Sequence, residues 1–550
     1  MMKKVSILIL FFISPLIFSQ FEEKVEVHLI SLYVNVLDKK GSQIEGLKKE
    51  DFEVLEDGKS QKITHFMEVR NLYPIEETAH FLEPAKEKKE EPLTVSKIKE
   101  ELKEKYVVYV DNLNIHPIQR NAMLDKLENF LKERMKGDAE VMVVSYSRSL
   151  KIHNPFTKEF SIVQKSLEDI REYTGEAMHR IDAKNDLLFD MEEVDSYDLI
   201  LGKVNNFARE IQHETNLTIK MLEDFVLYLS AIPGKKSLIY LSSGLPKVPA
   251  LELYHYLHSR FTEKNPLTYT MNLDLTSSYK TLINTANTAG VSFFMVDVSG
   301  LRALTESLSA ESKVLSSYTI DSSLETHNLT DPLILLSEET GGIPIVNTND
   351  FKKGFEKIAK VIENYYFIGY QRPWALEDRL HKIQVKVKAK KKYSVLYRKG
   401  FKEKSLLTEA QDVLISSLYY PQQKNTYGIS LKFFQPTKLN EETFSLPFEL
   451  SIPFPSIYFN EKENVMTSDI NIGFVSMDQT GQRSDVTWIE HPFNIPKNVY
   501  EKLKDKEFKY KAELAIKGGF SKISCAVVNK ADNSISIVVE NVMIELGGKK

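Results

Sequence analysis

The sequence predicts a doubly wound α/β domain inserted between β-sandwich segments, with a second β-sandwich at the C-terminal end. Three observations carry this. The continuous apolar runs YVVYV (106–110), AEVMVVSY (139–146), KSLIYL (236–241) and VSFFMV (291–296) alternate with helical stretches, as parallel strands buried on both faces do. Period-two alternation flanks that region on both sides. The stretch beyond residue 403 is again rich in short strands punctuated by aromatics, Pro-Ser and Asp-Asn-Ser.

A chain of 550 residues has room for about three or four domains. Its net charge of −5 gives no global attraction to phosphate backbones, so no nucleic-acid partner is expected. The single cysteine, Cys525, excludes an intrachain disulfide and any multi-cysteine metal site. It lies in a strand run and is expected to be a buried small apolar residue.

Taken in order, Lys3 and Lys4 precede an apolar run from Val5 to Phe18, and Ser19 offers a small residue at a cut point. Residues 1–19 read as a secretory signal peptide. The run is short for a membrane span and contains Pro15, so cleavage is preferred to an anchor, with no transmembrane segment in the mature chain. The expected destination is the periplasm, cell envelope or exterior. Residues 20–70 form an N-terminal β segment, with Leu29, Leu32, Val34 and Val36 in imperfect phase and a turn at Glu56-Asp57-Gly58. Residues 71–104, with their lysine–glutamate runs, read as a solvated linker.

The α/β domain is placed at 105–371. Its helices include one after Pro117, carrying Met123, Leu127, Phe130 and Leu131 on one face, and one over Leu217–Ser230. A helix through Leu333–Glu339 is stopped by Gly341-Gly342. IPIV and YYFIGY are expected as its last two strands, separated by a helix over Phe351–Glu363. Segments near 172–216 and 246–290 lengthen the loops around the carboxyl ends of the strands. In 372–402, Ile383, Val385 and Val387 alternate with Lys382, Gln384, Lys386 and Lys388, the pattern of a strand with one wet face. These strands are expected to complete the N-terminal sandwich. Residues 403–550 form the second one.

Enzyme signatures are missing: there is no G-x-S-x-G, H-E-x-x-H or G-x-x-x-x-G-K-[ST]. His255 and His258 read as a solvated helix face without a third metal ligand nearby in sequence. In a doubly wound sheet, ligands gather at the carboxyl ends of the strands. There the sequence places Asp111, Asn112 and Asn114 after the first core strand, Ser242 and Ser243 after the next, and Asp297 after a third. A competing reading has Asp111 and Asn114 capping the following helix.

These stretches resemble the von Willebrand factor A-type domain, and more closely the secreted bacterial proteins called VWFA-related. The matching segments run in the family's order: VNVLDKKGSQIEGLKKEDFEVLEDGKSQKITHF, YVVYVDNLNI, AIPGKKSLIYLSSGLP, GVSFFMVDVSGL, LSEETGGIPIVNTNDF and NYYFIGYQ. GGFSKISCAVVNKADNSISIVV is similar to the family's C-terminal β module. The resemblance implies a ligand-binding or adhesive role, often through a divalent cation held by D-x-S-x-S, a threonine on a later loop and a further aspartate. Asp111 matches the first aspartate, but Leu113 and Ile115 stand where the serines belong and Ser243 where the later aspartate does. Thr218, or Thr215, would supply the threonine. Mg²⁺ wants about six oxygens, so the expectation is a scaffold without a tight metal, with Asp111 and Thr218 as weak candidate ligands. The expected function is non-enzymatic binding of a protein or surface polymer through the crest residues Asp111, Asn112, Asn114, Thr218, Ser242, Ser243 and Asp297. A structural envelope role, and a serine hydrolase using Ser242 or Ser243, are the alternatives.

Overall fold

The computed structural model describes residues 27–81, 104–173, 177–230, 232, 234–301, 322–373, 377–388, 392–419 and 425–544. The expected signal peptide and residues 82–103 of the expected linker lie outside them.

The chain begins with β1 (Val27–Leu37), β2 (Phe52–Glu56), β3 (Lys59–Gln61), β4 (Ile63–Arg70) and β5 (Tyr73–Phe81). Ile30, Leu32, Val34 and Val36 are the buried set of β1, so the period of two holds once Ile30 replaces Leu29. Residues 73–81, expected as linker, are a strand paired with β4. Their sequence lacks apolar alternation because β5 is an edge strand, held by its ladder to one neighbour.

The α/β region follows. It comprises β6 (Lys105–Asp111), α1 (Pro117–Arg134), β7 (Glu140–Ser147), β8 (Ser149–Thr157), α2 (Phe160–Arg171), α3 (Ala177–Glu193) and α4 (Tyr197–Ser230). It continues with β9 (Lys236–Ser242), α5 (Leu251–Arg260), α6 (Thr276–Ala289), β10 (Val291–Asp297), α7 (Ser322–Glu339) and α8 (Phe351–Glu363). The sheet order is β10-β9-β6-β7-β8, parallel except for β8. Two apolar layers cover it. Leu124, Leu127, Val163 and Ile358 pack on one face; Leu222, Phe225, Leu282 and Leu336 pack on the other. The helix expected at Leu217–Ser230 is the last part of the 34-residue α4. α7 ends before Gly342, where a Cβ would meet the Phe293 carbonyl oxygen at 1.9 Å.

Next come β11 (Tyr365–Pro373), β12 (Leu380–Val387), β13 (Ser394–Leu396) and β14 (Gly400–Lys402). YYFIGY, expected in the α/β sheet, is β11 and lies antiparallel between β1 and β4. An unbroken apolar run reports burial on both faces, not the identity of the neighbours. Tyr366, Ile368 and Tyr370 face the sandwich core while Tyr365 and Phe367 pack on Met67 and Val69. Among the described residues IPIV pairs with the parallel sheet by a single Val296–Ile345 bridge, while Ile345 and Val346 pack into the cores on its two faces. β12 pairs with β2 and β13 with β1, giving sheets β13-β1-β11-β4-β5 and β14-β12-β2-β3 around one core.

The remainder is β-rich. It consists of α9 (Leu406–Tyr419), β15 (Ser430–Phe433), β16 (Thr437–Lys438), β17 (Thr443–Pro453), β18 (Asn460–Lys462) and β19 (Val465–Asp478). After these come β20 (Thr487–Pro496), α10 (Lys497–Leu503), β21 (Glu507–Lys517), β22 (Gly519–Asn529) and β23 (Ser534–Ile544). Its two sheets enclose Phe448, Leu450, Ile472, Phe474 and Val527. Cys525 is in this interior, and burial pushes its thiol well above the usual value. α9 packs on β22 through Ala410, Leu414 and Leu418 and lies against α4, joining the C-terminal part to the α/β region. Arg483 adds a bidentate ion pair to Asp224 of α4, at 2.6 and 2.7 Å.

A candidate binding cleft at the crest of the parallel sheet

The carboxyl ends of β6, β9 and β10 are adjacent, because β9 lies between the other two. Asp111 ends β6 and is fully buried. Its Oδ2 accepts from the Tyr240 hydroxyl at 2.6 Å, from Asn114 Nδ2 at 2.6 Å and from the Ser242 hydroxyl at 3.1 Å. Its Oδ1 has no hydrogen-bond partner among the described residues. Burial raises this carboxyl above the usual range, and the bonds from Tyr240 and Asn114 offset part of the rise.

The other expected crest residues divide by access. Asn112 is buried, and its Oδ1 accepts from Arg120 at 3.3 Å. Ser242 and Asp297 are fully buried; Asp297 Oδ1 accepts from the Ser299 amide at 3.0 Å. Only Asn114 and Ser243 are part-exposed, and both line a cleft. Neither Asp111 nor Asn114 caps α1: the N-cap is His116, whose Nδ1 accepts from the Ile118 amide.

Thr218, within the helix expected from Leu217, and Thr215, just ahead of it, are both inside α4. Their hydroxyls donate to the carbonyls of Glu214 and Ile211, four residues back. Thr215 joins the helix because α4 begins at Tyr197 rather than Leu217.

The cleft has a volume of about 280 Å³. Leu113, Ile181, Phe207, Ile211, Pro246 and Leu329 supply apolar wall. α3, from the segment expected to lengthen a crest loop, lies over it. Arg180 of α3 pairs with Asn114 Oδ1 and with Glu214 of α4. One turn on, Lys184 pairs with Glu252 of α5 and Glu325 of α7, both at 2.7 Å. Burial pushes the Lys184 ammonium down, but the two carboxylates outweigh it and hold it above the usual lysine value. These two cations fasten α3 across the sheet ends and explain why Asp111 is sealed. Sequence reading missed both, since their partners lie far away in the chain.

The donor set does not fit a divalent cation. Oδ2 of Asp111 is already saturated by three donors, and Leu113 and Ile115 are buried apolar groups. A guanidinium occupies the Asn114 oxygen. One remaining carboxylate oxygen falls far short of an octahedral cage. The site likewise offers no accessible nucleophile at Ser242, whose hydroxyl lies between Asp111 Oδ2 and the Gly244 carbonyl. His255 is exposed on α5, and His258 Nδ1 meets the Lys264 carbonyl at 2.8 Å.

No protein-family model matches the chain, and no curated protein matches it. Among solved structures, an aerotolerance-related membrane protein from Bacteroides fragilis is 8% identical. That match covers 47% of this chain and 98% of the other, with a TM-score of 0.22. The conserved hypothetical protein BatB from Bacteroides thetaiotaomicron is 10% identical over the same shares of the two chains, also at TM-score 0.22. The type V pili tip protein Mfa5 from Porphyromonas gingivalis is 9% identical over 95% of this chain and 78% of that one, at 0.24. Likeness this slight carries neither fold nor function. Among the described residues, no helix is long and apolar enough to cross a membrane.

Proposed function

We propose that the chain is an exported, non-enzymatic binding protein whose α/β domain is of the von Willebrand A type, without a tight Mg²⁺ at the crest. The observation that carries this is the cleft between the strand ends and α3. Apolar wall surrounds part-exposed Asn114 and Ser243, a lining that suits a segment of a protein or a surface polymer entering from solvent. Asn114, Tyr240 and Ser242 all donate to the one buried Asp111 oxygen Oδ2, which supports shape recognition in preference to cation-bridged binding or acyl transfer.

Ile181 tests the reading, because it lines the cleft yet is 44% exposed, so a larger polar side chain there leaves the fold intact. Ile181→Arg is expected to lower recovery of crosslinked partners from the native envelope at least tenfold, with an unchanged melting temperature. Recovery equal to that of the unaltered protein refutes the cleft as the binding site. Chelator is expected to leave recovery unchanged.

A further inference from the structure

A second cluster of chemistry-bearing side chains lies in the N-terminal sandwich, away from the crest. Glu56 ends β2, Asp57 begins the turn to β3, His381 is on β12 and Glu403 follows β14. Glu56, His381 and Glu403 are 7%, 3% and 1% exposed. His381 points inward because it is in phase with Ile383 and Val385 on the buried face of its strand.

Each of three ligand groups has one atom already committed. The Tyr370 hydroxyl donates to Glu56 Oε2 at 2.7 Å, and the Lys382 amide donates to Asp57 Oδ1 at 2.9 Å. His381 Nε2 lies 3.2 Å from the Glu403 carboxylate, which can accept the ring proton from that nitrogen when Nδ1 turns its lone pair to a metal. The Phe401 ring stacks on the imidazole at 5.1 Å and fixes its plane. The atoms that face one another are His381 Nδ1, Glu56 Oε1 and Asp57 Oδ2, the two oxygens also touched from outside by Arg372 and Arg379. Nδ1 is 3.1 Å from the first oxygen and 2.9 Å from the second, and all three atoms lie within 4.8 Å of one another.

In that tautomer Nδ1 presents a lone pair to two carboxylate oxygens. Three acceptors facing one another repel unless positive charge sits among them. A proton on Nδ1 can point well at only one oxygen, whereas a metal ion takes all three atoms at once. Bonds of about 2.1 Å in an octahedral array separate neighbouring ligands by about 3.0 Å, close to the 3.1 and 2.9 Å from Nδ1 to the two oxygens. We infer that Glu56, Asp57 and His381 form a site for one divalent first-row transition ion, Zn²⁺ or Mn²⁺, with Glu403, Tyr370 and the Lys382 amide as its outer shell. One nitrogen and two carboxylates suit such an ion better than Ca²⁺, which prefers oxygen alone.

Two carboxylates neutralise the dication. The third, Glu403, is matched by Arg372 at 3.2 Å, which also reaches Glu56 Oε1 at 3.0 Å. A carboxylate oxygen has a second lone pair for the metal. On the solvent side Arg379 touches Asp57 Oδ2 at 3.4 Å from a side chain that is 60% exposed, so it can swing away and admit ion and water. The ion would tie the β2–β3 turn to β12, with β11 and β14 holding its ligands in place.

The test uses the full chain stripped with chelator, titrated calorimetrically with ZnCl₂ and separately with MnCl₂. The expected result is one saturable site per chain for at least one ion, with a rise in melting temperature. Asp57→Asn, which keeps the acceptor for the Lys382 amide, and His381→Gln are each expected to weaken binding by about 100-fold or more. Asp57 is at the surface, so its variant decides the matter even if His381→Gln does not fold. A His255→Ala, His258→Ala variant is expected to bind as the unaltered chain does. Absence of saturable binding by both ions, binding unchanged in Asp57→Asn, or binding lost with His255 and His258 overturns the assignment.

Discussion

Replacing Arg483 by methionine is expected to loosen the C-terminal sandwich from the α/β region. The guanidinium meets both oxygens of Asp224 in a fork, and the two side chains are 11% and 2% exposed. Burial pushes the guanidinium's proton affinity down, but the Asp224 bonds outweigh it and raise it. Removing one member of a buried pair leaves the other charge desolvated and unmatched, which is worth about 3–5 kcal/mol. At about 2–4 °C per kcal/mol for a unit of this size, the melting midpoint should fall by roughly 6–20 °C. The assay is calorimetric melting of Arg483→Met, Asp224→Leu and the double variant. Each single variant should show the loss. The double variant should recover most of it, since an apolar pair carries no stranded charge. A single variant within about 0.5 kcal/mol of the unaltered protein would refute the reasoning, because it would mean that water reaches the pair and the two units are not docked through it.

Two further outcomes follow from the buried polar groups. Asp111→Ala strands the Tyr240 hydroxyl, which is fully buried, and frees Asn114 and Ser242, so a loss of about 2–4 kcal/mol in a urea melt is expected; an unchanged midpoint would show that the crest is solvated. Lys236 is 3% exposed, and burial, together with Lys105 and Arg398, pushes its ammonium down to about 7. Unfolded, it keeps its proton to about 10.4. The unfolded chain therefore binds more protons between those values, and stability rises with pH across that window, by up to about 1.4 kcal/mol per pH unit for this one group. Lys235, pushed down to about 7 by burial, adds a similar slope. Lys236→Met should halve the rise in urea midpoint between pH 7 and 9; an unaltered rise would show that the ammonium is solvated.

Burial on both faces writes itself as an unbroken apolar run, which is why β6, β7, β9 and β10 are legible in the sequence. The same signal misplaces β11, because pairing is decided by which strands the chain brings alongside. Edge strands β5 and β8 are bonded on one side only and leave little pattern. At the crest, Asp111, Ser242 and Asp297 are legible as polar residues ending core strands. Their sealing is not, since it depends on Arg180 and Lys184 of α3 reaching partners on α4, α5 and α7. His381 could have been found: extending the alternation of Ile383 and Val385 by one step puts a histidine on a buried face, where it requires partners.

The return of β11 to lie between β1 and β4 has a mechanical consequence. Residues 104–364 leave from β5 and come back into β11, so both ends of that region are anchored in a single sheet. Val27 and Pro373 are partners at one end of the antiparallel ladder that runs to Val34–Tyr366, so tension drawing those two ends apart would open it pair by pair. Because α9 and the Arg483–Asp224 pair also fasten the C-terminal sandwich to α4, a pull on that sandwich reaches the inserted region through this second attachment as well.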